Sequence, residues 1–221
     1  MSELDPRLVS LIAPGSVEAE QYRKLRNAIE HVARNGEGCI VAVSSPVAGD
    51  GKTVTAINLA GALAQSESRR VLLLDADFRA SPLRQRLGLP MQPGLADVIV
   101  SGETLRDVVV TELPFNLAVV QAGSVVPSPY ERLSSPRFRE LMAEARRDYD
   151  FVIVDTPPLL SVSDTRLIAE LVDGFVLVVA AHRTPRGPVE EALRVIDRAK
   201  ILGFVLNGVD TPVLGYPYPY T

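Results

Sequence analysis

A glycine-containing loop followed by lysine and threonine, in the segment "SSPVAGDGKTV", carries residue types suited to phosphate chemistry. Gly49, Gly51, Lys52 and Thr53 match the second half of a P-loop, whose backbone N–H groups cradle phosphates. In such a loop the Lys52 ammonium reaches the β- and γ-phosphates of a nucleotide, and the Thr53 hydroxyl binds Mg²⁺. Pro46 stands where the full pattern has its first glycine, so the start of the loop must differ in detail.

Three aspartates stand at the ends of apolar runs that are typical of strands. Asp75 and Asp77 are two residues apart after "VLLL", and side chains two apart in an extended chain share a side. Asp155 closes "FVIVD", where P-loop proteins place the acid that holds Mg²⁺ directly or through water. Taken singly, each aspartate could be a turn or cap residue. Together they predict a crevice in which a carboxylate not needed for metal could accept a proton from a hydroxyl.

The elements that must position these residues alternate along the whole chain. Six short apolar runs are typical of buried strands: "CIVAVSS", "RVLLLDAD", "LAVVQAG", "FVIVDTPP", "FVLVVAA" and "GFVLNGV". Amphipathic, helix-like stretches separate them, which predicts βαβ units. We therefore expect an α/β fold of the P-loop NTPase type, with a mostly parallel central sheet and helices on both faces.

The chain organisation predicts one domain in three parts. Residues 1–38 form an irregular lead-in and a helix, residues 39–209 the nucleotide-binding core, and residues 210–221 a flexible tail. We find no internal repeat and no linker long enough to divide the core.

Composition limits the classes of function. The 23 basic and 27 acidic residues argue against broad nucleic-acid binding, which needs a basic surface. The single cysteine, Cys39, forms no internal disulfide and suits a reducing compartment. The longest apolar run is far below the ~18 residues that span a bilayer. We expect a cytoplasmic protein that meets the membrane only through a partner.

A helix is expected ahead of the first strand, in "EAEQYRKLRNAIEHVARNG", with Gly36 as its stop. Its apolar stripe consists of Tyr22, Leu25, Ile29 and Val32. Glu20, Arg23 and Arg26, three residues apart, run along the flank of this stripe. Spacing alone favours an ordinary solvated face for these three side chains.

The chain ends in "GYPYPYT", which contains three of its six tyrosines. The alternating prolines hold this segment extended, so Tyr216, Tyr218 and Tyr220 should point the same way. A single tyrosine here would indicate only a frayed terminus. Three in alternation suggest that these hydroxyls are recognised by a partner or chemically modified.

These motifs together resemble the cytoplasmic kinase domain of the bacterial tyrosine kinases, the autokinases of capsular and exopolysaccharide synthesis. "SSPVAGDGKT", "LLLDADFR" and "FVIVDTPP" are similar to that family's Walker A, Walker A′ and Walker B motifs. The resemblance covers nearly the whole chain and implies ATP and Mg²⁺ as cofactors. It also implies transfer of a phosphoryl group to tyrosine.

The resemblance assigns roles to individual residues. Lys52 and Thr53 bind phosphate and Mg²⁺, Asp77 and Asp155 support the metal ion mostly through water, and Asp75 accepts the tyrosine proton. The catalytic set is thus Lys52, Asp75 and Asp77. The residues expected to contact the nucleotide are Gly49, Asp50, Gly51, Lys52, Thr53, Val54 and Asn207, the last near the adenine.

The resemblance also implies partners. Glu20, Arg23 and Arg26 match the family's E-x-x-R-x-x-R motif, which implies a ring-shaped homo-oligomer in which a neighbour phosphorylates Tyr216, Tyr218 and Tyr220. A transmembrane activator, or polysaccharide co-polymerase, would recruit the protein to the inner face of the cell membrane. A cognate tyrosine phosphatase would reverse the modification, and no nucleic acid is expected.

Two other functions fit the same phosphate site. One is an ATP-hydrolysing positioning switch of the cell-division or plasmid-partitioning type, with water as acceptor; the tyrosine tail speaks against it. The other is a nucleotide-gated adaptor for a polysaccharide export complex, with the proline-flanked tail as docking peptide.

Overall fold

The structure is a computed structural model that describes residues 4–33, 37–111, 113–162 and 164–209. Gly36 and the tail tyrosines Tyr216, Tyr218 and Tyr220 lie outside the described residues. Predictions that concern them therefore stay predictions.

Six strands form one sheet in the order β3-β2-β4-β1-β5-β6, and neighbouring strands are parallel throughout. The strands are β1 (Cys39–Ser44), β2 (Val71–Asp75), β3 (Ala118–Val120), β4 (Phe151–Asp155), β5 (Gly174–Ala180) and β6 (Ile201–Asn207). All six predicted runs are strands, which confirms the parallel α/β architecture. The prediction that every run is buried is wrong for β6, because Phe204 and Leu206, two residues apart on one face of this strand, are 54% and 60% exposed.

Nine α-helices lie within the described residues. They are α1 (Val9–Ile12), α2 (Val17–Val32), α3 (Lys52–Ala64), α4 (Leu83–Arg86), α5 (Leu95–Ser101), α6 (Pro129–Ser134), α7 (Pro136–Asp148), α8 (Asp164–Ala169) and α9 (Arg186–Val195). Helix α2 begins where the Ser16 hydroxyl accepts a hydrogen bond from the Ala19 N–H at 3.1 Å. None of these helices combines the length and apolar character needed to span a bilayer.

The sheet buries a separate core on each face. In β4, Val152 and Val154 point toward the core that contains α5 and α7, whereas Ile153 points toward the core that contains α3. This period of two explains why the strands are apolar on both sides. Helices therefore cover both faces of the sheet, as predicted.

The N-terminal segment is more ordered than predicted. The expected irregular lead-in contains α1, and its Leu8 and Leu11 are buried against α3. The buried Asn58 amide of α3 accepts a hydrogen bond from Ser10 N at 2.9 Å and donates one to Arg7 O at 2.9 Å. Because a buried amide needs such partners, Asn58 fixes this segment to the helix that follows the P-loop.

Strand register determines where the functional edge lies. Asp75 of β2 pairs directly with Asp155 of β4, and Asp155 pairs with Val43 of β1. The carboxyl ends of these three strands therefore meet at one edge, next to the loop that leads from β1 into α3.

Candidate active site

The loop between β1 and α3 has a backbone that requires glycine at two positions. Gly49 and Gly51 have φ values of 92° and 100°, in the left-handed region that side chains disfavour. A Cβ added at Gly51 would lie 2.1 Å from Asn207 Nδ2, so the Asn207 side chain would have to move to admit one. Pro46 departs from the usual pattern, and its carbonyl accepts a hydrogen bond from Leu160 N at 3.3 Å.

The N-terminus of α3 supplies the phosphate-facing donors. The helix begins at Lys52, so the N–H groups of Lys52, Thr53 and Val54 have no acceptor within the helix. Unpaired N–H groups and the helix dipole together favour an anion at this point. Val54, predicted to contact nucleotide, lies in this first turn.

Lys52 lies among the predicted carboxylates. Its Nζ is 2.9 Å from Asp77 Oδ2, 3.3 Å from Asp155 Oδ1 and 3.4 Å from Thr53 Oγ1. Burial alone would lower the pKa of the Lys52 ammonium, but the charges of Asp155 and Asp77 outweigh burial and raise that pKa. Lys52 therefore remains a cation in the nucleotide-free protein.

Asp75 lies behind this group and is completely buried. Its Oδ1 accepts from Asp77 N at 3.0 Å, and its Oδ2 accepts from the Ser81 hydroxyl at 2.8 Å. Burial, together with the nearby charge of Asp155, raises the pKa of the Asp75 carboxyl to about 8. A carboxyl group with this pKa is suited to exchange a proton near neutral pH.

The site has spare capacity for a cation. Burial raises the pKa of Asp155 although Lys52 opposes this effect, and Asp155 Oδ2 is buried without a hydrogen-bond partner among the described residues. No group of three or more Cys, His, Asp or Glu side chains in the described ranges could enclose a metal alone. Mg²⁺ commonly keeps waters and binds through one or two carboxylates plus phosphates. Thr53, Asp77 and Asp155 fit that mode.

A cavity of about 970 Å³ opens over the P-loop. Lys52 and Thr53 line it, together with Val205 and Asn207 on its β6 side and Asp77 on its β2 side. Because β6 and β2 lie on opposite sides of β1 in the sheet, these two sides form separate arms. Val205 and Leu206 give the β6 arm apolar surface that suits an adenine, whereas Asp77 is the aspartate that lines the β2 arm.

Comparisons with known proteins agree with this geometry. Residues 38–198 match a protein-family model described as an AAA domain. The chain is 34% identical over 209 residues to the tyrosine-protein kinase YwqD of Bacillus subtilis, covering 94% of this chain and 88% of that protein. The chain belongs to the bacterial tyrosine-kinase family. It is a protein-tyrosine kinase with a P-loop NTPase fold.

Further relatives of the kinase differ in length. It is 33% identical over 213 residues to the putative tyrosine-protein kinase EpsB of Ralstonia solanacearum, covering 96% of this chain but 28% of that protein. It is 32% identical over 208 residues to the succinoglycan biosynthesis transport protein ExoP of Rhizobium meliloti, covering 92% of this chain and 26% of that protein. The kinase domain of the Escherichia coli tyrosine kinase ETK superposes with a TM-score of 0.85 at 28% identity, covering 100% of this chain and 87% of that chain.

Other predicted residues of the kinase lie at the edge of the cavity or outside it. The Asn207 amide donates to Asp50 O at 2.9 Å and so holds the P-loop as well as lining the β6 arm. Glu20, Arg23 and Arg26 do not line the cavity. The Arg23 guanidinium contacts Glu20 and Pro14 O, and Arg26 Nη1 donates to Ala62 O of α3 at 3.1 Å.

Sequence reasoning missed several contacts that shape the kinase site. Ser81 binds Asp75, Thr184 donates to Asp50 Oδ1, and Arg79 Nε donates to the buried Asp164 at 3.1 Å. Thr184 follows the end of β5, so the rule that ligands bind beyond strand ends could have indicated that loop. Ser81 and Asp164 have no comparable local signal.

Proposed function

We propose that the kinase uses Mg·ATP to phosphorylate Tyr216, Tyr218 and Tyr220 of a neighbouring copy within a homo-oligomer. The observation that carries this proposal is the contact of Lys52 with Asp77 and Asp155, next to the proton-binding Asp75. This arrangement offers phosphate binding, metal binding and a base at one strand edge.

Different residues of the chain would bind the phosphates and the metal ion. The N–H groups at the start of α3 and the Lys52 ammonium hold the phosphates, and this requires Lys52 to leave its carboxylate partners. Asp77, Asp155 and Thr53 would then hold Mg²⁺, which neutralises charge on the phosphates. Glycine-imposed backbone geometry fixes the loop before the nucleotide arrives.

Asp75 is proposed to accept the proton of the attacking phenol, whose ordinary pKa is about 10. The phenolic oxygen forms a bond to the γ-phosphorus while the bond from that phosphorus to the β,γ-bridging oxygen breaks. ADP leaves with the electron pair, and the proton passes to the Asp75 carboxylate. The pKa of about 8 makes Asp75 a stronger base than an exposed aspartate, while leaving it partly ionised near neutral pH.

The cellular role is proposed from the relatives. ExoP is named as a succinoglycan biosynthesis transport protein, and a chimeric protein called CapA2B2 has a similar structure, with a TM-score of 0.83 at 29% identity. These names support a role in polysaccharide synthesis or export, with a transmembrane activator that recruits the kinase to the inner face of the membrane. A cognate tyrosine phosphatase would complete the cycle. Glu20, Arg23 and Arg26 of α2 are the proposed subunit contacts.

Intact-mass spectrometry with Mg·ATP, with and without a candidate activator segment, tests the proposal, followed by phosphosite mapping. We expect phosphates on the tail, and none in Lys52→Met or in a variant with all three tail tyrosines changed to Phe. For transfer between copies, the Lys52→Met chain with its intact tail is mixed with the kinase that lacks tail tyrosines. Phosphate on the Lys52→Met chain supports transfer in trans. ATP turnover without phosphotyrosine under any of these conditions would contradict the autokinase proposal.

A further inference from the structure

Arg183 lies over the P-loop and has no assigned role. Its side chain is exposed, lines the nucleotide cavity, and places Nη2 3.6 Å from the position that a Cβ would take on Gly49. Within the described part of the chain, its guanidinium makes no ion pair and no hydrogen bond. A cation thus faces the phosphate loop with its donors unused.

The backbone around Arg183 is held in place on both sides. His182 has φ 60°, which is uncommon for a side-chain-bearing residue and marks a conformation that the surroundings enforce. Arg183 N and Thr184 N both donate to Ala180 O, at 3.3 and 3.0 Å. The preceding Ala181 N donates to Asn207 O at 2.7 Å. The turn that carries Arg183 is therefore tied to the ends of β5 and β6.

A side-chain contact also ties this turn directly to the P-loop. The Thr184 hydroxyl donates to Asp50 Oδ1, and Asp50 is only 2% exposed. Asp50 also receives the Asn207 amide on its carbonyl. Arg183 thus keeps its position relative to the loop backbone even though its own side chain is exposed.

The direction from which Arg183 approaches differs from that of Lys52. Lys52 contacts Asp77 and Asp155, which lie on the β2 and β4 side of β1. Arg183 follows β5, the neighbour of β1 on the other side. The two cations therefore flank the P-loop from opposite sides of the sheet.

We propose that Arg183 is a second phosphate-binding cation, whose guanidinium binds oxygens of the nucleotide's phosphate chain from the β5 side. A planar guanidinium presents parallel N–H donors that match phosphate oxygens, and such charge-assisted bonds are stronger than neutral ones. The proposal concerns the nucleotide and not the tyrosine acceptor. It therefore stands or falls independently of the proposed autokinase function.

Equilibrium binding tests the proposal without catalysis. Affinities for ATP, ADP, AMP and adenosine would be measured by calorimetry on the wild type, Arg183→Ala and Arg183→Lys. We expect Arg183→Ala to weaken ATP or ADP binding by about 10- to 100-fold, with adenosine unchanged. Arg183→Lys should retain part of the affinity, since lysine keeps the positive charge and loses the pair of parallel N–H donors. The first nucleotide in the series whose binding weakens identifies the phosphate that Arg183 contacts.

Arg186→Ala is the matched control, because Arg186 lies three residues away, pairs with Glu190 and does not line the cavity. It should bind every nucleotide as the wild type does. A Thr184→Val variant should weaken phosphate binding less than Arg183→Ala, because it only loosens the turn. ATP and ADP affinities of Arg183→Ala equal to those of Arg186→Ala would overturn the proposal. So would an equal loss for adenosine, which would indicate a structural role.

Discussion

Replacing Asp75 with asparagine should stabilise the nucleotide-free kinase and, if Asp75 is the base, abolish phosphoryl transfer. Asparagine is nearly isosteric and can keep both contacts: its oxygen accepts from Asp77 N, and its amide donates to the Ser81 oxygen. It removes a carboxyl group that is completely buried next to Asp155. The variant therefore removes the buried ionisable group and keeps the packing of the site, so a change in stability reports the electrostatics alone.

The size of the effect follows from the shifted pKa. Folding raises the Asp75 pKa from 3.8 to about 8, so the folded protein keeps a proton that the unfolded chain releases. The contribution of this Asp75 proton to the free energy of unfolding is thus fully present below pH 3.8 and is lost as pH rises toward 8. The loss is about 1.4 kcal/mol per pH unit, on the order of 4 kcal/mol by pH 7. Asparagine avoids this loss, and we expect the variant's free energy of unfolding to exceed that of the wild type by about 2 to 4 kcal/mol at pH 7.

The assay is thermal and urea unfolding of metal-free, nucleotide-free protein at pH 5, 7 and 8. A gain of this size raises the melting midpoint by about 4 to 16 °C in a chain of this length. The gain should shrink to under about 2 kcal/mol at pH 5, where the unfolded carboxyl is closer to its own pKa. Asp164→Asn is the control: Asp164 is also buried, but its pairing with Arg79 predicts no gain. A gain that is absent at pH 8, or equal at pH 5 and pH 8, would refute the reasoning.

Three further substitutions test the loop and α2. Gly51→Ala should reduce ATP affinity by at least about tenfold, since alanine would have to adopt a left-handed φ and would clash with Asn207. The affinity is measured by calorimetry, and Gly187→Ala is the control because a Cβ there has open space. Arg26→Ala should cost about 1 to 2 kcal/mol in urea unfolding, because its bond to Ala62 O joins α2 to α3. Exposed Glu20→Ala should leave stability within about 0.5 kcal/mol of wild type, and light scattering should show a smaller assembly if Glu20 is a subunit contact.

The strands and the phosphate loop could be predicted because their determinants are local. Apolar runs such as "FVIVD" have the length and branching of buried strands. The glycines before Lys52 occupy positions where the backbone has positive φ, which side-chain-bearing residues disfavour. The edge position of β6 could not be predicted in this way. Its apolar composition resembles that of the central strands, although its Phe204 is 54% exposed in the fold.

The position of the three aspartates at one strand edge could be predicted, but their environment could not. Strand ends place Asp75 and Asp155 at one edge, and the parallel register then brings them side by side. The Ser81 and Thr184 contacts depend on the conformation of turns, which no local pattern specifies. Arg26 shows the opposite case: its spacing indicated a surface band, yet its guanidinium faces Ala62 of the same chain.

Charge balance links these observations into one account of the site. Three aspartates face one lysine in the nucleotide-free protein, and burial together with this excess of negative charge raises the pKa values of Asp75 and Asp155. Moving Lys52 to a phosphate would leave this excess larger, so nucleotide binding without a divalent cation is unfavourable at this edge. Mg²⁺ bound through Asp77 and Asp155 would remove the excess and lower the proton affinity of Asp75. With Asp75 as the proposed base, we therefore expect metal binding to promote release of the proton that Asp75 must lose before it can accept one from tyrosine.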